Sequence, residues 1–267
     1  MLVSESKDRN NLKGVVFHYS GYSRAKGSFC KVAPSVYVSS PESCFCQMAL
    51  DLSPVQLLLR GYELCGTFSV DALGGGKLLS GIGPRTSVSS LAEYIEAHYG
   101  INGTKKAKKV LPFIRDYSAS PMESRLVLLL CLPQSWGGYG LPWPELNSPV
   151  CSAESAFRDP SDFPAKRPFR CDLRWSDAGF ALEYDSDAHH VGREKIAKDS
   201  IRRTRIGLGG VHVVSVTKPQ VMGMASFDEV ARLVARCLGV RQRARRKDIL
   251  ERRFALRKEL FEGLSGI

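Results

Sequence analysis

Short apolar runs broken by Gly, Pro and Ser organise the first half of the chain. Residues 15–19 and 36–39 are β-prone runs on either side of a Gly/Ser/Lys segment. Helix starts follow at Ser40-Pro41 and at Ser53-Pro54-Val55-Gln56, each a polar cap with Pro at the first helical position. The second adds the Ser-x-x-Gln spacing of a capping box and predicts a helix running to about Cys65, ended by Gly66. Residues 71–86, with Gly74-Gly75-Gly76, Gly81 and Gly83-Pro84, read as a Gly-rich loop, and helices are expected again over 88–98 and 104–115. The triple Gly has neither Gly-x-x-x-x-Gly-Lys-Ser/Thr nor Gly-x-Gly-x-x-Gly spacing, so it reads as a flexible loop rather than a phosphate cradle.

The pattern becomes more ordered after residue 117. Ser120-Pro121-Met122-Glu123 is a helix start, the apolar run 126–132 continues it, and Pro133 stops it. An irregular connection from Gly137 to Pro144 leads to a short strand at 147–150, and 152–169 reads as a loop or hairpin. Residues 171–175 and 179–185 alternate like strands around a turn at Ser176-Asp177-Ala178. A basic helix is expected over 193–207, closed by Gly209-Gly210 and followed by a strand over 211–217. Ser226-Phe227-Asp228-Glu229 has capping-box spacing and predicts a helix with Val230, Leu233, Val234, Cys237 and Leu238 on its inner face, stopped by Gly239. The order predicts an α/β unit at 117–240 with a mixed sheet flanked by helices. An α+β domain at 1–116 precedes it, and a basic helix at 241–267 follows.

At 267 residues, 43% hydrophobic and 24% charged, the chain has globular composition and length for buried cores. No apolar run approaches the ~18–20 residues that span a bilayer. Met1 to Asp8 lacks a basic start followed by an apolar stretch, so neither a membrane protein nor a secreted one is expected. The eight cysteines (30, 44, 46, 65, 131, 151, 171 and 237) show no Cys-x-x-Cys spacing and read as reduced, mostly buried thiols of a cytoplasmic protein. A net charge of +11 favours a polyanionic partner, with nucleic acid the first to consider. Seven Arg and two Lys fall between 241 and 258. As a helix this tail would carry a ragged apolar face of Ile249, Phe254, Leu256 and Leu260, and it reads as a solvated charged helix, a nucleic-acid backbone contact or a basic membrane-surface helix, in that order. Trp136, Tyr139 and Trp143 are expected to line the hydrophobic edge of the sheet.

Candidate chemistry concentrates on the two central strands. A tight hairpin would bring Asp172 beside Glu183, while Glu183 and Asp185, two apart, share a face opposite Leu182 and Tyr184. Two or three convergent carboxylates on a basic protein form an oxygen-rich site for Mg²⁺ (or Mn²⁺), which takes one or two carboxylates and keeps waters for a substrate phosphate. The alternative is a salt-bridged strand pair, with Arg170 and Arg174 flanking Asp172 as partners. His189-His190 come just after the acidic strand, and a neutral imidazole there can take a proton from water. The following helix carries Arg193, Lys195, Lys198, Arg202, Arg203 and Arg205 against Glu194 and Asp199, a balance suited to facing a phosphate backbone. Asp199 has the spacing to pair with Arg202 and Arg203.

Taken together, Cys171-Asp172-Leu173-Arg174-Trp175, Leu182-Glu183-Tyr184-Asp185-Ser186-Asp187-Ala188-His189-His190, Asp199-Ser200-Ile201-Arg202-Arg203 and Gly210-Val211-His212-Val213-Val214-Ser215-Val216-Thr217 resemble the PD-(D/E)XK nuclease superfamily. The branch they are most similar to is that of the very-short-patch-repair endonucleases. The resemblance covers roughly 118–240 and implies a restriction-endonuclease-like fold, a divalent metal and phosphodiester hydrolysis, in DNA before RNA. By position it implies that Asp172 and Glu183 bind metal, that Asp185 occupies the superfamily's usual Lys position, and that Glu123 matches the acid of the leading helix. Asp185 in place of Lys and Ser186 in place of Gly depart from the pattern. They keep open a second expectation, a non-catalytic nucleic-acid-binding protein, regulator or antitoxin-like, on the same fold. Residues 1–116 match no nuclease motif.

Overall fold

The computed structural model describes residues 2–3, 13, 18–19, 26–34, 36–71, 75–150, 169–185, 204, 206–207, 209–241 and 248–262. In chain order the elements are β1 (Leu2–Val3), β2 (His18–Tyr19), β3 (Phe29–Ala33), β4 (Val36–Ser39), α1 (Pro41–Asp51), α2 (Pro54–Cys65), β5 (Phe68–Asp71) and β6 (Lys77–Ser80). There follow α3 (Val88–Ala97), α4 (Thr104–Val110), α5 (Pro121–Cys131), β7 (Glu145–Val150), β8 (Phe169–Trp175), β9 (Phe180–Asp185) and β10 (His212–Thr217). The last are α6 (Lys218–Met222), α7 (Met224–Cys237) and α8 (Asp248–Phe261). The chain forms two compact units: Met1–Cys65 with Gly83–Asp116, and Gly66–Ile82 with Tyr117–Ile267. Among the described residues no helix is long and apolar enough to cross a membrane.

In the first unit the caps form as the sequence dictates. Ser40 Oγ accepts from Ser43 N, and Ser53 and Gln56 close a reciprocal capping box, with Ser53 N donating to Gln56 Oε1 at 3.0 Å and Gln56 N to Ser53 Oγ at 3.2 Å. The four helices bury Phe45, Leu57, Leu58, Tyr62, Leu91, Ile95, Val110 and Ile114, and the Tyr62 hydroxyl donates to Phe113 O at 3.0 Å.

Cys46 and Cys65 lie fully inside this core. Burial, reinforced at Cys46 by the Glu42 charge and at Cys65 by Asp116 and Glu42, pushes both thiols up to about 12. A folded thiol held above its unfolded value favours the fold while protonated. That contribution is complete below about pH 8.5 and lost as the pH climbs through the alkaline range toward the folded values. Alkylation of the native protein at pH 8 is therefore expected to label Cys30, which is exposed, ahead of Cys46 and Cys65, read by peptide mass spectrometry.

The second unit corrects the loop expected at 71–86. β5 and β6 pair as an antiparallel hairpin, Phe68 with Ser80 through Asp71 with Lys77, and Gly75 and Gly76 take left-handed φ of 76° and 83° at its turn. Short polar-flanked strands closed by Gly read as a loop when their apolar positions are as few as these. The centre of this unit is a mixed four-stranded sheet in the order β10-β9-β8-β7, with β10 parallel to β9 and the other neighbours antiparallel. A parallel pair requires a crossover, and residues 186–211, mostly outside the described residues, supply it. Val150, Cys171, Ala181, Ile206 and Val211 form an apolar cluster on the sheet.

After α5 the chain folds back on the helix's own C-terminal carbonyls: Tyr139 N donates to Leu129 O, Leu141 N to Leu130 O and Gly140 N to Leu132 O, at 3.0–3.1 Å. These bonds satisfy acceptors that a helix end otherwise leaves bare. Gly138 permits the return, because a Cβ there would collide with the carbonyl of Leu132. Gly138→Ala is expected to lower stability by about 1–3 kcal/mol, the range for forced overpacking, read as a fall in the urea midpoint with unchanged far-UV circular dichroism.

Two helix readings are corrected. α7 starts at Met224 rather than at a Ser226 cap, because Ser226 Oγ donates to Gln220 O and Gly223 O. The capping box belongs to Thr217 and Gln220, which open α6. The α7 inner face is Phe227, Asp228, Val230, Ala231, Val234 and Ala235, and Leu233 is exposed. α8 is not a solvated charged helix. Ile249, Leu256 and Leu260 are buried as the pattern implies, Phe254 is exposed, and the arginines Arg253 and Arg257 are themselves 5% and 8% exposed. Arg253 Nη1 meets Asp228 Oδ1 at 3.0 Å, and the Tyr139 hydroxyl donates to the same oxygen. The Arg253 guanidinium lies 3.7 Å over the Tyr139 ring, and Arg257 donates to Val221 O and Met222 O at the end of α6. Tyr139 thus sits in a buried network rather than on a sheet edge.

Candidate functional site

The β8–β9 hairpin positions the acidic residues. A single 3-10 turn, Ser176–Ala178, joins the strands, and Gly179 follows in a left-handed conformation (φ 56°) where a Cβ would stand 2.9 Å from Gly210 O. Gly179 O accepts from His212 N at 2.7 Å, which fixes where β10 begins beside β9. From that turn the register runs Trp175 with Phe180, Arg174 with Ala181 and Leu173 with Leu182. The ladder pairing ends there, and beyond it Asp172 reaches the Glu183–Tyr184 segment of β9 through its side chain. On the other side of β8, the pairs Leu146 with Leu173 and Ser148 with Cys171 leave Asn147 level with Asp172. In the β9–β10 pair Glu183 stands opposite Ser215.

The polar row is thus made of two pairs, Asn147 level with Asp172 and Glu183 opposite Ser215, joined by the bond from Tyr184 N–H to the Asp172 carboxylate. The next row is wholly apolar: Leu146, Leu173, Leu182 and Val214. Asp172 Oδ2 accepts the backbone N–H of Tyr184 at 2.8 Å, so this carboxylate is fastened to the strand that carries Glu183 and Asp185. Glu183 is 8% exposed, and an acid buried this far is one that has partners, as Glu183 does. Asp185 lies two residues on, level with Thr217. Burial, and then the Asp185 charge, raise the neighbouring Tyr184 hydroxyl above its ordinary range. Arg170 and Arg174 donate to β7 carbonyls, Asn147 O and Pro149 O, each at 2.8 Å.

Glu123 is joined to this row. It is the third residue of α5, its N–H donates to Ser120 Oγ at 3.2 Å, and its Oε2 accepts from Ala119 N at 2.9 Å, so it serves the helix start. The same Oε2 accepts from Asn147 Nδ2 at 2.8 Å, and that amide also donates to Tyr117 O. Asn147 takes φ 48° within β7, a conformation that Asn adopts more readily than most residues. The sequence placed Asn147 at the start of a strand but gave it no site role, since it is one of several non-aliphatic residues in Glu145–Val150.

The acids predicted from sequence are thus brought to one region of the second unit. Among the described residues, however, no group of three or more His, Cys, Asp or Glu side chains is placed to hold a metal ion. A cation at this row would rest on the pair Asp172 and Glu183 and on water. His189, His190, Arg193, Lys195, Asp199, Arg202 and Arg203 lie outside the described residues, as does most of the stretch 193–207 expected to form a basic helix.

No family model matches the chain, and no solved structure matches it. Two curated relatives are the uncharacterized proteins MT2308 and Rv2248, from the CDC 1551 / Oshkosh and ATCC 25618 / H37Rv strains of Mycobacterium tuberculosis. Each is 27% identical over 161 residues, 60% of this chain and 51% of the relative. The chain spans about half the length of the curated relatives it matches.

Proposed function

We propose that the second unit is a metal-dependent nuclease that hydrolyses phosphodiester bonds in DNA. The observation that supports this is the row in which Asp172, held by the Tyr184 N–H, lies beside the segment of β9 that carries the buried Glu183, next to an apolar row. Their donor set is oxygen only, which fits a hard divalent cation held by two carboxylates with water filling the remaining positions. When bound, Mg²⁺ or Mn²⁺ polarises the phosphoryl oxygen and acidifies a water. The chain holds and orients that arrangement. Asp172 is aimed by the Tyr184 N–H, Glu183 is buried against β10, and Asn147 ties Glu123 to the same level. Asp185 assists at the rim, His189 or His190 takes the proton from the attacking water, and Arg193, Lys195, Arg202 and Arg203 hold the phosphate backbone.

A second reading has its own support. Asp185 stands where the superfamily places Lys, and the described residues form no three-acid centre. On that reading the protein binds nucleic acid without cutting it. Purified protein incubated with plasmid and with single-stranded DNA in Mg²⁺ or Mn²⁺ separates the two. Cleavage that is lost in EDTA and in Asp172→Ala supports the nuclease. Salt-sensitive binding with no cleavage, or equal cleavage by Asp172→Ala, defeats it.

A further inference from the structure

The first unit carries an arm that its own fold leaves uncovered. β3 and β4 form a two-stranded antiparallel ribbon, Phe29 opposite Ser39, Cys30 opposite Val38 and Lys31 opposite Tyr37, with an irregularity between Lys31 and Ala33. From Cys30 to Val38 every described residue is exposed, on both faces of the ribbon, and Tyr37 is 60% exposed. An isolated two-stranded ribbon is at best marginally stable in water, and exposed Val and Tyr on it add an aggregation hazard. Its base, by contrast, is anchored. Ser40 N donates to Ser28 O at 2.8 Å, the Ser28 hydroxyl bonds the Tyr94 hydroxyl at 2.7 Å, and Ser40 caps α1. The result is a projecting arm on a fixed root.

Charge selects the occupant. Between Asp8 and Glu42 the sequence contains Arg9, Lys13, Arg24, Lys26 and Lys31 and no acidic residue. Lys26 and Lys31 are exposed, and Lys31 shares a face of the ribbon with Tyr37. A second copy of an acid-free cationic arm would be repelled, whereas a polyanion is attracted. A two-stranded ribbon fits the B-DNA major groove, which is about 12 Å wide, but not the deep, narrow major groove of A-form RNA. We propose that the β3–β4 ribbon is a duplex-DNA contact, with Lys31 and Lys26 on phosphates and Tyr37, on the same face as Lys31, against the groove. This surface belongs to the first unit and the acidic row to the second, and the proposal requires only that the chain engage DNA, cut or uncut.

The test is anisotropy of a labelled 20-base-pair DNA duplex with the full chain in EDTA, so that cleavage plays no part. Lys26→Gln/Lys31→Gln with Tyr37→Ser is expected to weaken binding roughly tenfold or more, and the double Lys change to flatten the log K against log salt slope by about two. Lys31→Arg is expected to retain affinity. Because Lys26, Lys31 and Tyr37 are exposed, unchanged unfolding midpoints are expected for the ribbon variants. Unaltered affinity in the ribbon variants overturns the proposal, and so does the absence of any duplex binding by wild type. Equal losses on duplex RNA or single strands, or a wild-type dimer that Tyr37→Ser dissolves, assign the ribbon to another partner and also overturn it. Failure of the acidic-row reading would instead appear as absent metal-dependent cleavage with ribbon-dependent binding intact.

Discussion

Asp228→Leu is expected to destabilise the second unit by about 3–5 kcal/mol, the cost of removing one partner from a buried ion pair. Asp228 is 6% exposed and Arg253 is 5% exposed, so the guanidinium left behind cannot reach water without moving α8. Arg253 Nε already lacks a hydrogen-bond partner among the described residues, and the Tyr139 hydroxyl would lose its acceptor as well. Burial, and then the hydrogen bond to Asp228, hold that hydroxyl protonated far into the alkaline range, so it stays a donor at every ordinary pH. The triple change Asp228→Leu, Arg253→Met and Tyr139→Phe removes all three polar ends together and is expected to recover most of the loss. Urea unfolding of the single and triple variants measures both effects. A single variant within about 1 kcal/mol of wild type would mean that the network contributes no more than an exposed pair does.

Asp172→Asn and Glu183→Gln are each expected to lower metal-dependent DNA cleavage by roughly 10²–10³-fold, or about 3–4 kcal/mol at tenfold per 1.36 kcal/mol. The amide is chosen because it keeps the shape and an acceptor oxygen. In Asp172→Asn the side-chain oxygen would still receive the Tyr184 N–H, so the hairpin and its unfolding midpoint should survive while the anionic donor is lost. Glu123→Gln should behave differently. Its Oε2 serves Ala119 N and Asn147 Nδ2, both of which an amide oxygen can still satisfy, so a loss below about tenfold is expected. Initial rates on plasmid at saturating Mn²⁺, alongside thermal unfolding, separate loss of chemistry from loss of fold.

Much of this arrangement was legible because it is local. Ser53 and Gln56 specify their own cap, Pro133 ends the α5 region, and the turn at 176–178 fixes the pairing of β8 with β9 as far as Leu173 and Leu182. What escaped was set by long-range packing. Arg253 and Arg257 read as solvent-facing because Arg is usually exposed. Their burial depends on Asp228 and on the α6 carbonyls, 25 and 35–36 residues away in sequence. Leu233 satisfied the helical period yet faces out, because the α7 stripe is centred on Phe227, Ala231 and Val234 instead. Asn147 gave almost no signal, since its role arises only where β7, β8 and the start of α5 meet.

Titration of Mn²⁺ into the full chain, followed by the electron paramagnetic resonance of the free ion, tests the acidic row most directly. Wild-type protein should deplete free Mn²⁺ at a site that Asp172→Asn and Glu183→Gln both abolish. Equal depletion by all three proteins, or none by wild type, would contradict a cation site between these two strands.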